Sequence, residues 1–162
     1  MKKIITLTFL FVSIAMARNI TVKMATLAPE GTDWHGMLIE MGQEWKETTK
    51  GKVRLRIYPG GVIGDERDMV RKMRIGQIQA AGMTAEGLSE IVSEFSGYFI
   101  PLVYQNSEDV SIVTDALLPE LEEKLEKNGF KLLYFGELTW AYWFSTEPIK
   151  TPSDLKKSKF FT

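Results

Sequence analysis

The feature that most constrains the fold of this sequence is a regular alternation of strand-like and helix-like patterns in its first half. The run NITVKMATL at 19–27 is rich in β-forming residues and ends at a turn that contains proline and glycine. A helical period follows over 33–50, where Asp33 is the expected N-cap and Gly51 supplies the stop. These patterns predict a first strand and an amphipathic helix.

The alternation continues with a second strand, a second helix and a third strand. The run KVRLRIY at 52–58 alternates apolar and basic residues, as a half-buried strand does. Residues 65–75 carry apolar side chains at helical spacing and stop at Gly76, and 77–83 suit a short buried strand. The βαβαβ order with short connections predicts an α/β fold with a largely parallel sheet.

Beyond this unit the patterns are less regular, but five further segments are distinguishable. The sequence predicts a short helix at 85–92, an aromatic-rich irregular stretch at 95–104, a long helix at 107–128 that ends at Gly129, a strand at 130–135 and a helix that starts at Thr151-Pro152-Ser153-Asp154.

The N-terminus has the composition of a secretory signal peptide. Lys2 and Lys3 precede an apolar run from Ile4 to Ala17, which closes on the small-x-small step Ala15-Met16-Ala17. A membrane anchor is the alternative, but the run is shorter than the roughly 20 residues of a spanning helix. We therefore expect export, cleavage near Ala17 and a soluble periplasmic protein.

Cysteine usage and charge exclude several classes of function. The sequence has no cysteine, which excludes disulfides, thiolate metal sites, thiol catalysis and a lipid-anchored N-terminus. Its 20 basic and 21 acidic side chains are interspersed, so no basic face is available for nucleic acid. No cofactor is expected.

Two motifs suggest chemistry but are better explained by structure. The run Gly60-Gly61-Val62-Ile63-Gly64 precedes a helix, as phosphate loops do, but it lacks the Lys-Ser/Thr pair and does not match the dinucleotide pattern. We interpret it as a turn. His35 is the single histidine, and we interpret it as a polar position in a first helical turn, with a fold-assembled metal site as the alternative.

The acidic side chains of the long helix are interpreted as a solvated face. They are interleaved with Lys124 and Lys127, so that the charge alternates in sign along the helix. Such a pattern is typical of an exposed helix surface and not of a catalytic site. The four carboxylates are Glu120, Glu122, Glu123 and Glu126.

Several short segments form a combination that, with the signal peptide, spans nearly the whole chain. They are Lys23-Met24-Ala25-Thr26, the run from Gly51 to Pro59, Gly64-Asp65-Glu66-Arg67 leading to Gly76, Pro148-Ile149, and Thr151-Pro152-Ser153-Asp154-Leu155-Lys156. Together these segments resemble the periplasmic solute-binding proteins of tripartite (TRAP) transporters.

This resemblance implies a two-domain, periplasmic-binding-protein-like α/β fold that closes on its ligand like a hinged clamp. Members are about twice this length, so we expect a signal peptide at 1–17, a first domain at 18–138, and a crossover into a mostly missing second domain at 139–162. The apolar end at Phe160-Phe161-Thr162 also suggests a fragment. A product ending there is expected to bind ligand weakly, because half a clamp leaves the cleft open.

Candidate ligand contacts in the first domain follow from the sheet. Open α/β sheets bind ligands beyond the carboxyl ends of their strands. These ends are expected at 25–28 and 84–87, where Thr26, Thr84 and Glu86 are the polar candidates. Each of the three could equally be a turn-forming residue.

An aromatic cluster marks the expected crossover between the domains. Strand alternation places Trp140 and Tyr142 on one face and Trp143 on the other. One face is available for the core and the other for a ligand cleft, since pockets are mostly apolar and aromatic and favour domain interfaces.

The sequence departs from the resemblance at two positions. Family members pair an arginine after the DLK segment with the ligand carboxylate, and Phe161 stands at that position here. A second arginine of the crossover strand falls on Ala141. We therefore expect Phe161 to be a ligand contact and the ligand to have a planar or apolar body, or to be recognised by hydrogen bonds.

The predicted function is capture of a small organic molecule, either an organic acid or an aromatic or amphipathic compound, and its delivery to membrane permease subunits. An exported enzyme such as a hydrolase is the first alternative, although the sequence has neither G-x-S-x-G nor a base beside a serine. A ligand-sensing or scaffold protein on the same fold is the second.

Overall fold

The computed structural model describes residues 19–101, 103–137 and 144–156, which form an alternating α/β chain. Three strands and five α-helices are present in these residues, with one 3-10 helix at Ser93–Phe99. The elements are β1 (Ile20–Thr26), α1 (Asp33–Thr48), β2 (Val53–Tyr58), α2 (Glu66–Arg74), β3 (Ala80–Gly82), α3 (Ala85–Ser89), α4 (Ser107–Lys127) and α5 (Pro152–Leu155).

The three strands form one parallel sheet in the order β2-β1-β3, as the βαβαβ pattern predicts. Met24 of β1 is in register with Ile57 on one side and Ala80 on the other. The third strand is shorter than predicted, because Ile78 and Gln79 lead into β3 without belonging to the ladder.

Helix α1 packs on the sheet face formed by the apolar residues of β2. Its residue Leu38 is buried, and Gly42 lies against the Leu55 side chain. The helix starts one residue earlier than the predicted cap implies, since Thr32 is the N-cap and accepts the His35 N–H at 3.3 Å. Asp33 was the wrong choice because adjacent threonine and aspartate are both competent caps.

Helix α2 covers the carboxyl half of the sheet. Its Met69 packs with Ala25 of β1 and with Ile78 in a buried apolar cluster. Asp65 caps the helix by accepting the Asp68 N–H at 2.8 Å. This cluster of the core therefore lies beneath the ends of β1 and β3, next to the strand-to-helix turns.

The segment after β3 is more ordered than the sequence predicts. Residues expected to be irregular form the 3-10 helix, which packs against α3 and contacts α4, and Phe95 within it is fully buried. Lys124 of α4 pairs with Glu94 at 2.7 Å. Helix α4 ends before Gly129, whose φ of +82° confirms it as the helix-stop residue.

The predicted strand at 130–135 is not present. Leu133 is 81% exposed and Tyr134 is 73% exposed, and no strand of the described residues pairs with this segment. A β-forming composition gives a strand only where another strand completes the ladder.

The chain divides into two compact units, Met1–Lys131 and Leu132–Thr162. In the second unit, Thr151 donates both its N–H (2.9 Å) and its hydroxyl (2.8 Å) to the Asp154 carboxylate, which confirms the predicted helix start. The predicted boundary between 138 and 139 lies at residues outside the described ranges, as does the signal peptide at 1–17. Among the described residues, no helix has the length and apolar character needed to span a membrane.

Candidate functional site

The three parallel strands end at the same edge of the sheet, and the turns that leave this edge carry the candidate site. We call it the carboxyl edge. It comprises the β1–α1 turn (27–32), the β2–α2 turn (59–65) and the β3–α3 turn (83–84). Ligands of open α/β sheets bind beyond such an edge.

Thr26 lies beneath the carboxyl edge and not on its surface. It is 2% exposed, its Oγ1 accepts the Ala28 N–H at 3.2 Å, and its Cα is in register with that of Gly82. The hydroxyl therefore holds the start of the β1–α1 turn. This is the turn-forming role, which the sequence offered as the alternative to ligand contact.

The glycine-rich run at 60–64 is a turn that ties two strand ends together. Gly60 donates its N–H to the Ala28 carbonyl at 2.8 Å, and Gly61 donates to the Thr26 carbonyl at 3.1 Å. Gly64 donates to the Gly61 carbonyl at 2.9 Å. The three glycine amides are thus directed at protein carbonyls, unlike those of an anion-binding loop.

Gly64 also shows why this turn needs glycine. Its φ is +111°, and a Cβ added there would lie 2.3 Å from the Asp68 carboxylate. The conformation is one that other residues rarely adopt, and the space is occupied by the first turn of α2.

His35 holds the β1–α1 turn from the other side. Its ring is buried, and Nδ1 accepts the Gly31 N–H at 3.2 Å. This acceptor role requires the neutral ring with its proton on Nε2. His35 is therefore a structural residue of the turn, as the sequence predicted, and no metal-binding cluster of histidine and acidic side chains is found among the described residues.

Thr84 lies at the β3–α3 turn, as predicted. Its polar groups bind Glu66, which is not among the predicted site residues. Its N–H donates to Glu66 Oε1 at 2.6 Å, and its hydroxyl donates to Glu66 Oε2 at 2.6 Å. Thr84 is also the N-cap of α3, where its Oγ1 accepts the Gly87 N–H at 3.5 Å.

Glu66 is the residue of this edge that sequence reasoning missed as a site residue. It is the first residue of α2 and is 9% exposed. A buried carboxylate is stable only when its oxygens accept hydrogen bonds, and here both do. The sequence signal was its place in Gly64-Asp65-Glu66-Arg67, which we used only to identify the family.

Glu86 lies in the first turn of α3 and is exposed. Arg67 is near this helix and is bound to Glu90 at 2.8 Å. The hydrogen bond to Glu90 raises the pKa of the Arg67 guanidinium, so this cation is already paired with a carboxylate. Of the three predicted polar candidates, Thr84 and Glu86 are exposed and Thr26 is buried. The polar groups of Thr84 and Thr26 are engaged in hydrogen bonds within the edge.

The carboxyl edge forms a wall and not an enclosed pocket in the part of the chain described here. Grooves run along α1, one between α1 and β2 that includes Leu55 and Arg54, and one at the helix start that includes Gly31 and His35. Neither groove is lined by Thr26, Thr84 or Glu86. The predicted aromatic contacts Trp140, Tyr142 and Phe161 lie outside the described residues.

Comparison with known proteins agrees with this architecture. The model of the family "bacterial extracellular solute-binding protein, family 7" matches residues 24–162. A solute-binding protein of Roseobacter denitrificans is 26% identical over 149 residues, which is 91% of this chain and 46% of the relative. The crystal structure of that protein, with bound L-galactonate, has a TM-score of 0.59 at 22% identity over 68% of this chain and 37% of that one.

Two further proteins are similar. The 2,3-diketo-L-gulonate-binding periplasmic protein of Escherichia coli is 28% identical over 122 residues, 72% of this chain and 36% of the relative. A TRAP periplasmic solute-binding protein of Citrobacter koseri with bound D-glucuronate has a TM-score of 0.58 at 26% identity, over 67% of this chain and 36% of that one. The chain therefore spans less than half the length of these relatives.

Proposed function

Since the chain belongs to bacterial extracellular solute-binding protein family 7, with the periplasmic-binding-protein-like fold of TRAP solute-binding proteins, we propose that it captures a small organic ligand for a TRAP transporter. The ligand lies against the carboxyl edge, and a second domain of similar size forms the opposite wall of the cleft. Closure of the two domains creates the surface that the membrane permease subunits recognise. The signal peptide at 1–17 directs the protein to the periplasm.

One observation carries this proposal. The family match over residues 24–162 coincides with a parallel β2-β1-β3 sheet whose strands all end at one edge. That edge is where open α/β sheets place ligands, and an open wall needs a partner domain to enclose one. Relatives more than twice as long as the matched segment supply the length for such a domain.

We propose binding without covalent change in preference to hydrolysis. A hydrolase needs a base that activates a nucleophile. The single histidine is buried, and its Nδ1 accepts the Gly31 N–H. This leaves His35 as part of the turn, which favours the binding function.

The ligand class we propose is an organic acid, with an aromatic or amphipathic acid as its narrower form. The relatives named above bind sugar acids and related compounds: L-galactonate, D-glucuronate and 2,3-diketo-L-gulonate. Phe161 stands where the resemblance implies a carboxylate-pairing arginine, and Trp140 and Tyr142 add aromatic surface. An apolar ligand body would gain from these contacts, since pockets are mostly apolar and aromatic.

The test is a thermal-unfolding screen of the full-length mature protein against two panels. One panel holds D-glucuronate, L-galactonate and D-erythronate, and the other holds phenylpyruvate and indole-3-acetate. A compound present at 100 times its Kd stabilises the native state by about 2.7 kcal/mol, which raises Tm measurably. Mass spectrometry of the compound released from the protein should show an unchanged molecule.

The matched variant for this screen is Trp140→Ala, with Trp45→Ala in α1 as the control. Trp140→Ala should abolish the shift caused by aromatic acids and reduce that caused by sugar acids less. A product that ends at Thr162 should show no shift with either panel. Turnover of any panel compound, or an identical shift for the truncated product, would contradict the proposed function.

A further inference from the structure

We propose that Glu66 is a positioning residue of the ligand site, which holds the β3–α3 turn in the conformation that receives the ligand. This inference rests on the proposed function. It concerns how the edge is fixed and not which groups touch the ligand, because Glu66 is buried and both of its oxygens accept hydrogen bonds from Thr84.

The carboxylate of Glu66 is held by two hydrogen bonds from one residue. The N–H and the hydroxyl of Thr84 each donate to a different oxygen at 2.6 Å. Hydrogen bonds to an ionised carboxylate are stronger than those between neutral groups, and two parallel bonds fix orientation as well as distance. Rotation of the Thr84 side chain would break the hydroxyl bond, and a shift of its backbone would break the bond from the N–H.

Glu66 also packs closely against Gly87 of α3. A Cβ added at Gly87 would lie 2.8 Å from Oε2 and 2.9 Å from the Cβ of Glu66. The first turn of α3 thus sits directly on the carboxylate. Since Glu86 belongs to that turn, its backbone position is set by the same contact.

The Glu66–Thr84 contact completes a chain of hydrogen bonds along the carboxyl edge. Gly60 and Gly61 tie the β2–α2 turn to the β1–α1 turn through the carbonyls of Ala28 and Thr26. Glu66, which follows the β2–α2 turn, ties it to the β3–α3 turn. A wall fixed in this way before binding loses less conformational entropy when a ligand arrives, which favours affinity.

The first arm of the test needs no ligand. Amide hydrogen exchange is compared between the full-length mature protein and its variants Glu66→Gln, Glu66→Asp and Thr84→Val, with Glu44→Gln in α1 as the control. Glu66→Gln keeps the shape but loses the charge and one acceptor, and Glu66→Asp keeps the charge but is one methylene too short. Exchange at Thr84 and Gly87 should rise at least tenfold in the Glu66 variants, with exchange at Met69 and Val70 unchanged.

The second arm measures binding of whichever compound of the two panels raises the Tm of the unmodified protein most. Glu66→Gln should weaken binding about tenfold, the scale expected when a hydrogen bond to a charged group is lost. The combined Glu66→Gln and Thr84→Val variant should lose little more than either alone, because both changes break one contact. Glu44→Gln should bind as the unmodified protein does.

Each outcome decides the inference. Unchanged exchange at Thr84 in Glu66→Gln overturns it, and so does an equal rise at all core amides, which would make Glu66 only a stabiliser of the fold. A loosened turn with unchanged affinity overturns it as well. If no compound stabilises the unmodified protein, the proposed function fails, and the exchange arm still decides whether Glu66 holds the turn.

Discussion

Gly42 of α1 lies so close to Leu55 of β2 that a Cβ added to the glycine would be 3.1 Å from the Leu55 Cβ. Helix and edge strand therefore approach each other at a position without a side chain. Gly36, in the same helix, has nothing within 4 Å of its added Cβ. The same substitution in one helix therefore meets a neighbour at Gly42 and open space at Gly36.

We expect alanine to have opposite effects at these two positions. Gly36→Ala should raise the free energy of unfolding by about 0.5–1 kcal/mol, because alanine is the better helix former. Gly42→Ala gains the same propensity but requires Leu55 or the helix to shift by a few tenths of an ångström, and overpacking costs about 1–3 kcal/mol. Urea unfolding of both variants measures the difference, and equal stabilities would mean that Leu55 moves aside at little cost.

The buried hydroxyl of Thr26 should be needed for stability. Thr26→Val keeps the shape but removes the acceptor of the Ala28 N–H, and an unsatisfied buried donor costs about 1–3 kcal/mol. Thr26→Ser keeps the hydroxyl and should retain the hydrogen bond. If the valine variant were as stable as the serine variant, the Ala28 amide would have to find another acceptor.

The cap of α1 is a third test. Thr32→Ala removes the acceptor of the His35 N–H and the donor to the Pro29 carbonyl, so we expect a loss of about 1 kcal/mol. Thr48→Ala, at the other end of α1, serves as the control and should cost nothing. Thermal unfolding distinguishes the two, and a larger effect at Thr48 would contradict the assignment of Thr32 as the cap.

The pair between Glu94 and Lys124 should give a pH dependence of known sign. The hydrogen bond from Lys124 lowers the pKa of Glu94 below its ordinary value of 4.5, so the ionised carboxylate favours the folded state. The contribution is present above that value and is lost as the pH falls through the lower pKa of the folded state.

Carboxyl NMR titration checks this prediction. Lys124→Met should return the pKa of Glu94 toward its ordinary value, whereas Lys127→Met should leave it unchanged, because Lys127 pairs with Glu123. The shift should shrink at high salt, since the pair is exposed. A Glu94 pKa that is the same in both lysine variants would exclude Lys124 as the cause.

The sequence correctly predicted the strands and helices that are specified by residues close together in the chain. Alternation at 52–58 and helical spacing around Met69 gave the βαβαβ unit and its parallel sheet, because side-chain period and turn residues act over a few positions. The end of α4 at Gly129 was predictable for the same reason, because a helix-stop glycine acts locally. The cap of α1 was placed one residue late, since Thr32 and Asp33 carry equivalent signals.

Contacts between distant residues were not predictable in this way. Glu66 and Thr84 are 18 residues apart, and nothing in either local sequence pairs them. The sequence therefore suggests Thr84 as a ligand contact but does not reveal that its hydroxyl donates to the Glu66 carboxylate. The strand predicted at 130–135 failed for a related reason, because β-forming residues such as Leu133 and Tyr134 do not specify a neighbouring strand.

The position of β1 in the middle of the sheet bears on how the protein folds. Both β2 and β3 pair with β1, so the first strand to be synthesised is the template on which the later two assemble. The ladder contacts of the three described strands are complete once the chain has reached Gly82. Because these parallel pairings join distant residues, Ile20 with Val53 and Met24 with Ala80, they form slowly and require that β1 is intact. A substitution that weakens β1 should therefore slow folding more than an equally destabilising one in α4.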